Sequence, residues 1–236
     1  ASSHQGMLGF LVSHKSLSGE DLSPRQVPLQ DLPSLVSAVQ SRGFLPAVHY
    51  YHSPTSPFSF TEGLHRLADA YDGSLVGLLQ FNVHWPEPAL LGEFLGDHRD
   101  LQVVLQFSPP LSNSSSGIFR PEALADSLRL VYSYESYFDY LLVDGSRGGG
   151  KPLDLGLSSD LGRILSSRFH NKGLVFAGGL QGLNVFETVA PLRADLDYTQ
   201  FSIDAEGRLR NSDDTLNIGK VHHYLQEAAR AFSFYR

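Results

Sequence analysis

The sequence predicts an α/β protein built as a TIM-type (β/α) barrel, and three observations carry that prediction. Short runs of apolar and β-branched residues alternate with longer segments whose apolar residues recur at helical spacing. The length of 236 residues suits one barrel around one core, so a single domain, residues 1–236, is expected. Several connections after strand candidates are long and rich in Gly, Ser and Pro: Ser13 to Pro24, Ser53 to Pro57, Ser108 to Gly117 and Gly145 to Lys151. In such barrels, that is the face where binding sites are built.

The strand candidates are Met7 to Val12, Leu45 to Tyr51, Leu75 to Phe81, Leu101 to Phe107, Tyr140 to Val143, Leu174 to Ala177 and roughly Tyr198 to Ile203. Each is short and nearly continuous in apolar residues, as strands buried on both faces should be. Between them, Leu32, Leu35, Val36 and Val39 share one helical face, as do Leu64, Leu67, Ala68 and Tyr71, and Leu90, Leu91 and Phe94. Further helices are predicted over Pro121 to Tyr134, opened by a proline suited to a first turn, and over Leu157 to Arg168, Leu183 to Leu192 and Leu216 to Phe232.

Composition excludes several function classes. No apolar run approaches the length of a membrane span, and mean hydropathy is -0.13. The first residues lack the basic-then-apolar plan of a signal peptide, so a soluble, cytoplasmic protein is expected. A net charge of -7 with no stripe of Lys and Arg removes the electrostatic footprint of a nucleic-acid binder. The absence of cysteine removes disulfides, thiolate metal sites and thiol nucleophiles together. His222 and His223 are adjacent on a predicted helix and point in different directions, so they do not read as a metal pair; neither metal nor cofactor is expected.

Two segments carry chemistry. Phe176-Ala177-Gly178-Gly179-Leu180 is a strand ending in two glycines that lead into a helix. Without Cβ atoms the backbone can approach an anion closely, and the helix start offers N–H donors. A tight structural turn needing positive φ accounts for the same pair. Tyr140-Leu141-Leu142-Val143-Asp144 places a carboxylate at the end of a buried strand, before the loop containing Gly148, Gly149, Gly150 and Lys151. Asp144 there can serve as a general acid with a raised pKa, or it can simply cap the loop. Lys151 can neutralise a phosphate or stand in solvent, and it lacks the following Ser or Thr of a Walker motif. His84, His49 and His52 fall at or beyond strand ends. A histidine there can act as a base near neutral pH, though each can equally be structural.

The series Asp144-Gly145-Ser146-Arg147-Gly148-Gly149-Gly150-Lys151, then Ala177-Gly178-Gly179-Leu180 and Asn184-Val185, resembles the glycine-rich segments of phosphoribosylanthranilate isomerase in order and spacing. Met7-Leu8-Gly9-Phe10 with His14-Lys15-Ser16 is similar to that family's second strand, and Asn82 to Pro88 to its fourth-strand segment. The resemblance implies an Amadori rearrangement of a phosphoribosylated amine in tryptophan biosynthesis, with Asp144 as the general acid and a small phosphorylated metabolite as partner. It implies phosphate contacts from Gly149, Gly150, Lys151, Gly178 and Gly179.

This chain departs from the family in four places, one of them the arginine expected after the second strand, which is not found at Leu17 or Ser18 although Arg25 could substitute for it. The family's base is a first-strand cysteine in a Lys-x-Cys-Gly segment, and this sequence has neither; His84 is the candidate replacement. The Ser-Ser-Gly that helps hold phosphate on the last strand is replaced around Ser202 to Gly207, where Asp204 and Glu206 would repel a dianion. Met7 to Val12 matches the second strand, so either the barrel has seven strands or the gap is filled by Phe232 to Tyr235 or by a partner chain, and an open edge would let two copies pair as a homodimer. Three functions therefore compete: an isomerase-like barrel with altered chemistry, a catalytically inactive binding or assembly module, and the authentic isomerase.

Overall fold

Strands and helices alternate along the computed structural model, which describes residues 5–70, 77–82, 84–109, 121–145, 151–197 and 200–234. The strands are β1 (Met7–Ser13), β2 (Leu45–Tyr51), β3 (Gly77–Phe81), β4 (Leu101–Phe107), β5 (Tyr140–Asp144), β6 (Gly173–Ala177) and β7 (Ser202–Asp204). The α-helices are α1 (His14–Ser18), α2 (Leu32–Gln40), α3 (Phe60–Asp69), α4 (Pro88–Asp97), α5 (Pro121–Ser133), α6 (Leu155–Arg168), α7 (Val185–Asp195) and α8 (Ile218–Ser233). Each predicted strand and helix has its counterpart, with ends shifted by a few residues. Among the α-helices the addition is α1, inside what the sequence suggested was a plain connection. Ser13 caps it by accepting from the Lys15 N–H, and Ser16 accepts from the Ser13 N–H. A capping box closed by serine lacks the usual Glu or Gln signature.

The chain divides into two compact units. Of the described residues, one comprises 5–70, 77–82, 84–106 and 133–139, with β1 to β4 as parallel neighbours in chain order. Tyr50, 1 % exposed, lies against Leu17 of α1, Phe60 and Gly63 of α3, so Val12, Tyr50 and Phe81, which share its register level, face the helices. Alternation then sends Ser13, Gln80 and Gln106 to the other face, where all three are buried.

The outer edge of β1 is partly covered. The Gly6 carbonyl accepts from the Leu45 N–H at 3.0 Å, which turns every second residue of β1 toward β2. In a parallel ladder the residues between them face the opposite edge. There the Leu11 carbonyl accepts from the Val27 N–H at 3.0 Å, and Gln26 forms a parallel bridge with Leu11. The edge predicted to be open is therefore occupied at Leu11 by the chain itself. Beside β4, Asp139 extends the ladder in a similar way, since its N–H donates to the Val103 carbonyl and its carboxylate accepts from the Val103 N–H.

Of the described residues, the second unit comprises 107–109, 121–132, 140–145, 151–197 and 200–234, with β5, β6 and β7 as parallel neighbours. Phe176 of β6 touches the site where a Gly162 side chain would sit on α6 and packs edge-on to Phe201, so it faces the helices. Helices α7 and α8 are joined by Arg193, which donates to the Ala231 and Phe232 carbonyls, and by Arg230, whose guanidinium lies 3.9 Å from the Phe186 ring centre. Side chains also satisfy helix starts: Asp154 accepts from the Leu157 N–H on α6, and Asn217 from the Lys220 N–H on α8.

Candidate functional site

The carboxyl ends of β5, β6 and β7 bring two carboxylates to one level. Asp144 is in register with Ala177, and Ala177 with Asp204. Because Phe176 faces the helices, the next residue along, Ala177, lies on the opposite face, and its register partners Asp144 and Asp204 share that face. Two strand spacings separate their backbones by roughly 10 Å.

The environments of these carboxylates differ from those of surface acids. Asp144 is buried. Asp204 retains some exposed surface, yet the protein around it desolvates its carboxylate and pushes its pKa up to about 6. The charges of Glu206 and Asp144 add to that rise, and a hydrogen bond from the Ala205 N–H opposes it. Glu206 forms an ion pair with Arg210 at 3.1 Å. Tyr224 of α8 is buried, and desolvation followed by the charge on Asp204 raises its hydroxyl pKa strongly.

The paired glycines adopt the conformations for which glycine is suited. Gly178 has φ of 146° and Gly179 of 53°. A Cβ on Gly178 would stand 3.3 Å from the Lys151 carbonyl oxygen and 3.4 Å from the Leu153 backbone, and the Leu153 N–H donates to the Gly178 carbonyl. Gly178 therefore admits the Lys151–Leu153 segment to the end of β6, a structural duty that spacing alone does not separate from ligand binding. Asn184 closes the turn: its amide donates to the Gly179 carbonyl at 3.1 Å and its side-chain oxygen accepts from the Gln181 N–H at 2.8 Å. Among the described residues, the N–H groups of Gly179 and Leu180 donate to no protein acceptor.

A cavity of about 140 Å³ lies beside this turn, lined by Val143, Lys151, Leu153, Leu157, Ala177 and Gly178 among others. It is smaller than the roughly 300–1,000 Å³ of ordinary ligand pockets, so by itself it could hold only a small group. Gly149 and Gly150 lie outside the described residues. His84 is exposed and belongs to the other unit, where it follows β3. The sequence does carry a signal for Asp204, a carboxylate ending the last strand as Asp144 ends β5, but by itself that signal suggests only a source of repulsion.

The described residues contain no group of three or more His, Asp or Glu placed to hold a metal ion, and no described helix is long and apolar enough to cross a membrane. No family model and no curated protein sequence matches the chain. Solved structures do. Phosphoribosylanthranilate isomerase from Thermotoga maritima is 15 % identical over 94 % of this chain and 87 % of its own, with a TM-score of 0.60. A phosphoribosylanthranilate isomerase in complex with reduced 1-(o-carboxyphenylamino)-1-deoxyribulose 5-phosphate is 14 % identical over the same shares, with a TM-score of 0.56. Catalytic-site mutants of active domain 2 of a Pyrococcus furiosus chitinase are 9 % identical over 99 % of this chain and 97 % of theirs, also with a TM-score of 0.56. Identities this low carry the fold and not the activity, and with the seven parallel strands alternating with helices they establish that the chain has an α/β TIM-type barrel fold, like that of phosphoribosylanthranilate isomerase.

Proposed function

We propose that this barrel binds a small phosphorylated ligand at the Gly178–Gly179 turn and handles the ligand's protons with Asp144 and Asp204. The observation that carries the reading is their common level and face on either side of Ala177, next to a glycine turn with N–H groups to spare. Lys151 supplies a positive charge beside that turn, with Gly149 and Gly150 as further candidates. An aldose-to-ketose rearrangement needs an acid at the ring oxygen and a base at C2. In this reading Asp204, whose carboxyl holds its proton more tightly than usual because it is desolvated and faces two other carboxylates, donates to the ring oxygen. Asp144 takes up the C2 proton in place of a thiolate. His84, the other candidate base, belongs to the other unit.

The test is calorimetric titration with reduced 1-(o-carboxyphenylamino)-1-deoxyribulose 5-phosphate. Binding that Gly179→Asp abolishes and Asp204→Asn preserves supports the site, and loss of tryptophan-auxotroph rescue in Asp144→Asn and Asp204→Asn would support the chemistry. A second reading, an inactive binding or assembly module, is favoured by the negative charge of Asp204 and Glu206 near the proposed phosphate position. Failure of the folded wild-type protein both to bind the analogue and to rescue growth would select it.

A further inference from the structure

The cavity of about 140 Å³ beside the glycine turn extends to the helix side of β5. Val143 of β5 forms part of its wall, and Val143 is in register with Phe176, so both turn toward the helices. Leu157, Ser158 and Leu161 of α6 line the opposite wall, at spacings of three and four residues that share one side of a helix. Asp144 and Asp204 lie on the other face of the sheet.

The lining changes from mouth to floor. Lys151 and Asp154 are exposed, whereas Ser158 is 6 % and Leu161 1 % exposed. Ser158 is thus a polar group set deep among apolar neighbours. A helical serine commonly donates its hydroxyl to the carbonyl four residues earlier. Here the Asp154 carbonyl accepts from the Ser158 N–H at 2.9 Å, and the Ser158 hydroxyl has no hydrogen-bond partner among the described residues. The adjacent Ser159 differs, since its hydroxyl donates to the Asp195 carboxylate at 2.8 Å. Buried hydroxyls are nearly always bonded, because leaving one without a partner is unfavourable. The Ser158 hydroxyl therefore calls for a partner from within the cavity.

Size and lining define that partner. A protein cavity of about 150 Å³ walled by apolar side chains admits a benzene-sized molecule. A rigid ring also loses no rotamer freedom when it is held there. A wholly apolar cavity rejects a hydroxyl, which would forfeit its bonds to water, but a serine can both donate to and accept from one. We propose that this cavity is a binding site for a phenol-sized aromatic molecule, its ring packed between Val143, Leu157 and Leu161 and its hydroxyl bonded to Ser158. Leu153 also lines the cavity, and its N–H donates to the Gly178 carbonyl at 3.1 Å, so an occupant bears on the glycine turn. Binding there does not depend on the function proposed above, because it uses neither Asp144 nor Asp204.

The probes are phenol and benzene, titrated into the full chain while the methyl resonances of Val143, Leu153, Leu157 and Leu161 are followed by NMR. Phenol should shift these methyls saturably and leave those of the exposed Leu183 and Ile218 in place. Ser158→Ala should weaken phenol binding up to about tenfold, the worth of one hydrogen bond, and leave benzene binding no weaker. Leu157→Phe, at a half-buried position, fills the cavity and should abolish both. Asp204→Asn should leave the phenol response intact, whatever it does to the binding of the phosphorylated analogue. The wild-type protein alone already decides the matter should a variant fail to fold: no saturable shift with phenol, or a shift with benzene and none with phenol, overturns the proposal. Unchanged phenol affinity in folded Ser158→Ala, retained phenol binding in folded Leu157→Phe, or its loss in Asp204→Asn would each overturn it as well.

Discussion

Gly63 of α3 lies directly beneath the hydroxyl of Tyr50 on β2, so near that a Cβ at position 63 would overlap the phenolic oxygen. Tyr50 is almost wholly buried, its hydroxyl has no partner among the described residues, and burial pushes its pKa up to about 12. Gly63→Ala gains helix propensity of about 1 kcal/mol but forces the ring to shift, an overpacking that costs about 1–3 kcal/mol. The expected outcome is a net loss of stability, read as a lower urea midpoint. Tyr50→Phe should recover much of it in the double variant and cost little alone, because the hydroxyl it removes is unsatisfied.

Asp204 makes stability depend on pH. Its folded pKa, about 6, exceeds the ordinary 3.8, so the folded protein holds the proton more tightly. The contribution is fully present below 3.8, declines as pH rises, and is lost once pH passes the folded value of about 6. The whole change is on the order of 3 kcal/mol. Asp204→Asn should flatten the difference curve across that window and be more stable than the wild type above it, as measured by denaturant midpoints at successive pH values.

Gly178 combines a positive φ with close backbone contact to Lys151 and Leu153. Gly178→Ala should destabilise the protein by roughly 1–3 kcal/mol. Hydrogen exchange should show the Leu153 amide, which donates to the Gly178 carbonyl, losing protection before the amides of β5.

Asp139 holds both backbone groups of Val103, its N–H donating to the Val103 carbonyl and its carboxylate accepting from the Val103 N–H. Asp139→Ala leaves the Val103 N–H without its acceptor and should cost about 1–3 kcal/mol in thermal or denaturant unfolding. Asp139→Asn, which keeps a side-chain oxygen, should cost less.

Much of the fold was legible because burial leaves a local trace. The run Leu101 to Phe107 is β4 as predicted, and Leu45 to Tyr51 is β2, since strands covered on both faces must be apolar along their length. The helix over Leu64, Leu67 and Ala68 was legible because its apolar residues fall on one side. Of the site, Asp144 was visible as a carboxylate ending an apolar run. The role of Gly178 was not, because the pressure for glycine comes from Lys151 and Leu153, which lie far from it in sequence.

The sequence by itself determined the alternation of strands and helices, and with it the barrel fold, because hydrophobic periodicity is a property of neighbouring residues. Only the tertiary structure set Asp204 level with Asp144 and slid Gln26 and Val27 along the edge of β1. Those relations depend on register and on packing between segments distant in the chain, and no local propensity encodes either.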